Sequence, residues 1–162
     1  MNVIKHLFSL ILPFTVLVYV PFAIEPRRQW VVGLNLVPGF LLAGAGLTLM
    51  VATISLFVRF GRGTLAPWTP TKALVVRGPY RYVRNPMITG VLFVLLGESC
   101  VAWSSAVLTW AAIFFAFNTI FFLIYEEPNL EEKFGDAYRD YKKHVGRWLP
   151  RFTAYHPNRD AQ

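Results

Sequence analysis

The stretch ITGVLFVLLGESCVAWSSAVLTWAAIFFAFNTIFFLIY, residues 88–125, decides the fold, because its 38 residues carry one formal charge, Glu98. A helix crosses a hydrocarbon core of roughly 30 Å with about 20 apolar residues, each rising about 1.5 Å. The stretch is too long for one crossing and fits two helices that turn near Trp103-Ser104-Ser105. Toward the N-terminus, Leu7 to Ile24 is uncharged and just long enough to cross, and residues 36–58 are comfortably so. Hydrophobic residues make up 55% of the 162, and the mean hydropathy is +0.44, too apolar for an ordinary soluble core. These features predict an all-α integral membrane protein of one domain, residues 1–162, with spans at about 7–24, 36–58, 88–103 and 106–125. Lys5 and His6 before the first run would suit a secretory signal, but no clear small-x-small cleavage site follows, so the run is read as a span.

With four spans, Lys5, six Lys/Arg from Arg59 to Arg84 and seven after Glu126 share one face, fourteen of the sixteen basic residues. The positive-inside rule puts that face and both termini in the cytoplasm, at the plasma or inner membrane of a bacterium or the endoplasmic reticulum of a eukaryote. The net charge of +7 then reads as topology and contact with anionic headgroups rather than nucleic acid. Cys100 is the single cysteine, and His6, His144 and His156 are scattered, which argues against a metal centre. No Gly-rich strand-to-helix fingerprint of a nucleotide fold is present.

The segment Gly61–Pro86 holds Gly61, Gly63, Pro67, Pro70, Gly78, Pro79 and Pro86, a density that forbids a long helix. Its apolar residues, among them Trp68, Leu74 and Tyr80, predict an ordered cytosolic loop, with Ala73–Val76 extended. After Glu127, Leu130, Phe134, Tyr138, Tyr141, Val145 and Trp148 recur at helical spacing, predicting an amphipathic helix over about 128–146 that lies along the interface as an anchor. Gly39, Ala43 and Gly46 predict close helix packing, and Asn118 a bond to another helix. The basic run Arg77–Arg84 and the pair Glu126-Glu127 bracket the hairpin 88–125, and charge gathered at the mouth of a membrane hairpin suggests a polar site. Arg77 and Arg81 read as headgroup anchors. Glu98 reads either as functional or as lying near the far surface.

Gly78-Pro79-Tyr80-Arg81-Tyr82-Val83-Arg84-Asn85-Pro86, then Gly90, Glu126-Glu127, Phe134-Gly135-Tyr138-Tyr141 and Arg147-Trp148-Leu149-Pro150 together resemble the isoprenylcysteine carboxyl methyltransferase and phospholipid methyltransferase family. The resemblance covers roughly residues 60–150. It implies S-adenosylmethionine as methyl donor at the cytosolic face, and a lipophilic small molecule or lipid as acceptor. By position it implies cofactor contacts at Lys72, Ala73, Leu74, Val75, Tyr80, Asn85, Pro86, Met87, Ile88 and Glu126.

Side-chain chemistry adds Arg84 as a clamp for the methionine carboxylate and Tyr80 as a wall for the adenine or a π-face near the sulfonium. Glu127 is the expected base, with Glu98 as the other nearby carboxylate, should the acceptor be a protonated amine. Members of the family often carry histidine at Asn85 and tyrosine at Ile88. Eukaryotic prenylcysteine enzymes carry an arginine at the position of Phe122, which lowers the expectation of a prenylcysteine carboxylate. Two other readings fit a basic, multi-span chain: a membrane reductase of the sterol-reductase kind using a nicotinamide cofactor, and a non-catalytic scaffold or transporter subunit.

Overall fold

A computed structural model describes residues 13–25, 33–56, 59 and 74–157. Among these residues the only regular elements are helices, with no strand. Helix α1 spans Thr15–Ile24, α2 Leu36–Leu56, α3 Pro86–Ala102 and α4 Ser105–Phe121. A π-helical turn, Phe122–Glu126, carries α4 directly into α5, Glu127–His144.

α1 also begins with a π turn, Thr15–Tyr19. Each π turn stops two residues before a proline, Pro21 or Pro128. A proline ring crowds the carbonyl four residues back and supplies no N–H, so it cannot sit in an unmodified α-helical ladder. Those carbonyls belong to Leu17 and Ile124, inside the wider turns that relieve the clash. The first turn is then fixed from outside, where Trp110 Nε1 donates to Val16 O at 3.1 Å.

α2 and α3 run antiparallel with their backbones nearly touching. A Cβ built on Gly46 would stand 2.5 Å from Gly90 O, and one on Gly97 2.6 Å from Gly39 O and 2.7 Å from Ala43 N. Gly39, Ala43 and Gly46 therefore pack as the sequence predicts, into a complementary row of Gly90, Gly97 and Val101. The buried core beside this seam holds Leu17, Met50, Val94, Leu95, Ala111 and Phe114, so α1 and α4 complete the bundle.

The far end of the bundle is closed by polar bonds. Trp103 turns the chain at φ 48°, Ser104 accepts from Val107 N as a helix cap and donates to Glu25 Oε2 at 2.6 Å, and Asn35 Nδ2 donates to Cys100 O at 2.9 Å. Glu98 lies one turn before α3 ends at Ala102, so it belongs to this far end. Asn118 donates within its own helix, to Phe114 O at 2.8 Å, where the sequence predicts a partner helix.

Leu36–Leu56 and the helical run Ser105–His144 are long and apolar enough to cross a membrane, while Pro86–Ala102 and Thr15–Ile24 are shorter. In the second of these the apolar run ends at Tyr125, and from Glu126 onward the helix is polar. Phe40, Leu41, Val51, Ile113 and Phe117 point outward, as helices bathed in lipid require. Residues 7–12 of the expected first span and most of the loop 57–73 lie outside the described residues.

Two expectations change. The expected helix over 128–146 is broken at Gly135, whose φ 54° and ψ −130° suit glycine and no L-residue. Its apolar stripe is also not free to lie in lipid, because Tyr138, Tyr141 and Val145 are buried with Tyr155 against Leu74, Val76, Leu130 and Phe134. Residues 74–77 carry no helix and pair with no strand, Arg77 has extended φ and ψ of −137° and 153°, and Ala73 lies outside the described residues.

Candidate functional site

The end of the bundle opposite Trp103 is built from four pieces: the segment 74–85, the start of α3, the junction of α4 with α5, and the tail 145–157. A short 3-10 turn, Gly78–Arg81, opens the loop onto α3. Gly78 has φ 54°, and a Cβ there would meet Leu56 Cδ1 at 2.8 Å, so both conformation and space demand glycine. The turn is thereby seated on the end of α2.

The tail returns to hold the same loop through its backbone. Arg84 N donates to Gly146 O at 2.9 Å, Arg151 N to Tyr82 O at 3.0 Å and Tyr155 N to Arg81 O at 3.0 Å. Arg81 Nε donates back to Tyr155 O at 2.8 Å, and Arg81 also meets His156. Tyr141 OH donates to Tyr80 O at 2.6 Å, joining α5 to the turn. Tyr155 OH bonds Asp140, so tail, helix and loop form one unit. Burial and then the Asp140 hydrogen bond push the Tyr155 phenol up to about 12.

Glu127 is the electrostatic centre. Arg147 Nε donates to its Oε1 at 2.6 Å, Arg84 Nη1 stands 3.1 Å from the same oxygen and Lys142 Nζ 3.4 Å from Oε2. The side chains of Arg84 and Glu127 are only 9% and 6% exposed, so water screens this pair little. Burial would raise the Glu127 carboxyl, but the Arg147 hydrogen bond and the charges of Arg84, Arg147 and Lys142 outweigh it and hold the group below its usual value. Lys142 also donates to Glu131 Oε1 at 2.6 Å. The three cations thus face two carboxylates and leave one positive charge in surplus. Arg84 Nη1 stands 3.5 Å from Tyr138 OH, while its buried Nε has no hydrogen-bond partner among the described residues.

Glu126 has the opposite environment. It ends the π turn, and burial followed by repulsion from Glu127 pushes its carboxyl up to about 7. Its charge reaches Tyr80 and Tyr138, where burial is the larger cause of raised phenol pKa values. Adjacent carboxylates are therefore separated in character, one locked as an anion and one poised near neutrality.

The structure brings Tyr80, Arg84, Glu126 and Glu127 to one end of the bundle, next to Asn85, Pro86, Met87 and Ile88 at the start of α3. Asn85 stands before α3 without capping it through its side chain. Leu74 packs on the cluster of Tyr138 and Tyr141, and Val75 adjoins it in the same segment. Lys72 and Ala73 lie outside the described residues, and Glu98 is at the other end. Phe122 is buried and packs on Trp148, with ring centroids 5.7 Å apart.

Sequence reasoning missed Arg147 and Lys142 as partners of Glu127, and the tail as a wall of the site. The signal available was chemical: a carboxylate next to apolar residues needs cations, and the nearest unassigned ones follow within a single helix and turn.

The sequence model of phospholipid methyltransferases matches residues 34–137, from the start of α2 through the first half of α5. The chain belongs to the phospholipid methyltransferase family. Membership extends to α2, which the sequence resemblance had placed outside its range. Among curated proteins, the methanethiol S-methyltransferase of Pseudomonas deceptionensis is 39% identical over 75 residues, 44% of this chain and 26% of that protein. The chain thus spans about a quarter of the length of this relative. No solved structure matches.

Proposed function

We propose that this family member is a multi-span membrane enzyme that transfers the methyl group of S-adenosylmethionine to a lipophilic acceptor at the end of the bundle formed by Tyr80, Arg84 and Glu126. The observation that carries the reading is the unequal pair: Glu127 is neutralised by Arg84 and Arg147, while neighbouring Glu126 keeps a carboxylate that no cation holds in the described residues. Family membership and the name of the relative support methyl transfer over the reductase and scaffold readings.

The donor set fits the cofactor. A sulfonium compound with an ammonium, a carboxylate and an adenine needs an anion, a cation with a free N–H, and an apolar slot. Glu126 is the anion, Arg84 Nε the unpartnered donor, and Leu74, Val75 and Tyr80 the apolar and aromatic wall. S-adenosylmethionine supplies a methyl group already activated by its positive sulfur.

The chain's own part is then positioning, worth up to about 7–11 kcal/mol where alignment is good. Glu127 fixes Arg84, and Tyr141 fixes the Tyr80 backbone. Glu126 holds positive charge, and takes a proton from the acceptor where one must leave. Burial among Tyr80, Tyr138 and Tyr141 keeps water from these charges.

Acceptors of the kind proposed include a phospholipid amine, an isoprenylcysteine-type carboxylate, a thiol or another small hydrophobic metabolite. The thiol gains support from the relative's name. Four spans with both termini and the site in the cytoplasm remain the topology we propose, on the partition of basic residues. Incubating protein in nanodiscs with methyl-labelled S-adenosylmethionine and total membrane extract tests the function. Label in an apolar product is expected, and absence of both transfer and saturable cofactor binding overturns the reading.

A further inference from the structure

The tail 145–157 turns its polar groups inward and two large apolar side chains outward. Gly146 O accepts from Arg84 N at 2.9 Å, and Arg151 N donates to Tyr82 O at 3.0 Å. Arg147 is held by Glu127, and the Arg151 guanidinium donates to His144 O and Thr153 Oγ1, both at 3.2 Å. Among these bonded residues, Leu149 is 83% exposed and Phe152 wholly so, and Pro150 has no N–H to satisfy. Water favours the opposite arrangement, whereas hydrocarbon, which satisfies neither backbone nor charge, favours this one.

Trp148 sets the depth of the segment. Its indole centroid lies 5.1 Å from that of Phe115 and 5.7 Å from that of Phe122. Along α4 and its π turn, those two residues stand about 15 and 5 Å before Tyr125, where the apolar run ends. The chain that leaves the polar part of α5 therefore comes back beside the apolar part of α4, and Leu149 is the next residue. Phe117, on the same stretch of α4, is exposed and belongs to the surface that the membrane reading gives to lipid.

Resting on the membrane reading proposed above, we infer that Leu149 and Phe152 form an interfacial wedge inserted among the acyl chains of the leaflet on the site's side, and that the bilayer thereby holds the loop of the site. Phe152 follows Arg151, whose N–H holds Tyr82 O, and Leu149 stands three residues after Gly146, whose carbonyl holds Arg84 N. The occupant is ordinary membrane lipid, recognised by burial of two side chains that the described protein leaves uncovered. Nothing in this role requires a methyl donor or acceptor.

The full chain with Cys100→Ala, in phosphatidylcholine nanodiscs, receives single labelling sites by Leu149→Cys, Phe152→Cys, Phe117→Cys and Asp136→Cys, each carrying an environment-sensitive nitrobenzoxadiazole dye. An interfacial wedge reaches the upper acyl chain, so lipid with a nitroxide on the fifth acyl carbon should quench the dyes at Leu149 and Phe152 by about twofold or more, and aqueous iodide should leave them nearly unchanged. Asp136, whose side chain is almost wholly exposed on α5, should show the reverse, and Phe117 should be quenched by a nitroxide on the twelfth carbon. Iodide quenching at Leu149 or Phe152 equal to that at Asp136 overturns the wedge, while a Phe117 site that lipid does not quench overturns the membrane reading itself. Leu149→Ser combined with Phe152→Ser should speed hydrogen exchange of the Arg84 and Arg151 amides by about fivefold or more, while the amide of Leu95, buried in α3, keeps its rate. Unchanged exchange at Arg84 and Arg151 overturns the hold of the bilayer on the loop.

Discussion

Arg147 Nε donates to Glu127 Oε1 at 2.6 Å across 20 residues of chain, tying the polar tail to the first turn of α5. Arg84 shares that oxygen at 3.1 Å, so one buried carboxylate joins three segments. Removing it leaves two cations without their partner in a poorly screened place. Glu127→Ala should destabilise the fold by about 3–5 kcal/mol, read as a large drop in the thermal unfolding midpoint in detergent. Lys142→Ala should change the midpoint little, because that ammonium is well exposed to solvent. Equal effects of the two would show that the Arg84–Glu127–Arg147 cluster is not the staple.

The poised carboxyl of Glu126 gives a pH signature. With its value raised from 4.5 to about 7, the group is protonated in the folded protein below that pH and anionic above it. If S-adenosylmethionine binds at Glu126 as proposed, its affinity should therefore rise as pH increases through about 7, and Glu126→Gln should flatten the profile. Stability should move the other way. The native state holds the extra proton between these two values, so its contribution is fully present below 4.5 and is lost as pH rises through about 7. Titration calorimetry from pH 5.5 to 8.5 checks the first trend and thermal melts check the second.

The seam of α2 and α3 predicts a contrast between glycines in one helix. Gly46→Val forces a side chain to within 2.5 Å of the Gly90 carbonyl and should abolish the monodisperse folded protein, whereas a Cβ on Gly44 meets nothing within 4 Å. Gly44→Ala should be neutral or stabilise by about 0.4–1 kcal/mol. Size-exclusion profiles of the two variants in detergent decide the matter.

Gly135 sits where an L-residue is strained, although a Cβ there meets open space. Gly135→Ala should cost about 1–3 kcal/mol from conformation alone, and any larger loss of stability would report a straightened α5 that pulls Tyr141 from the Tyr80 carbonyl. Hydrogen exchange of the Tyr80–Arg84 amides distinguishes simple strain from this displacement, which should speed their exchange.

The helices were legible because lipid leaves a chain few choices: Leu36–Leu56 and the hairpin turning at Trp103 follow from run length and charge. The glycine seam was legible from one side, since Gly39, Ala43 and Gly46 repeat on one face, while its partner row at Gly90 and Gly97 needed coordinates. At the site, residue types announced Arg84, Glu126 and Glu127 as important, yet not that Glu127 would be consumed by cations. That depends on the π turn before Pro128, a one-residue change in helical phase that periodicity cannot register. The break at Gly135 escaped for a related reason, because apolar spacing continued across it. The roles of Lys72 and Ala73 lie outside the described residues.

The backbone bonds from Gly146, Arg151 and Tyr155 to the Arg81–Arg84 loop have a consequence for biosynthesis. Helices α1 to α4 precede these tethers in the sequence, so the loop gains its last backbone partners only after Tyr155 has been synthesised. During translation, the nascent protein therefore passes through a stage in which α1 to α4 exist and the Arg81–Arg84 loop still lacks these partners.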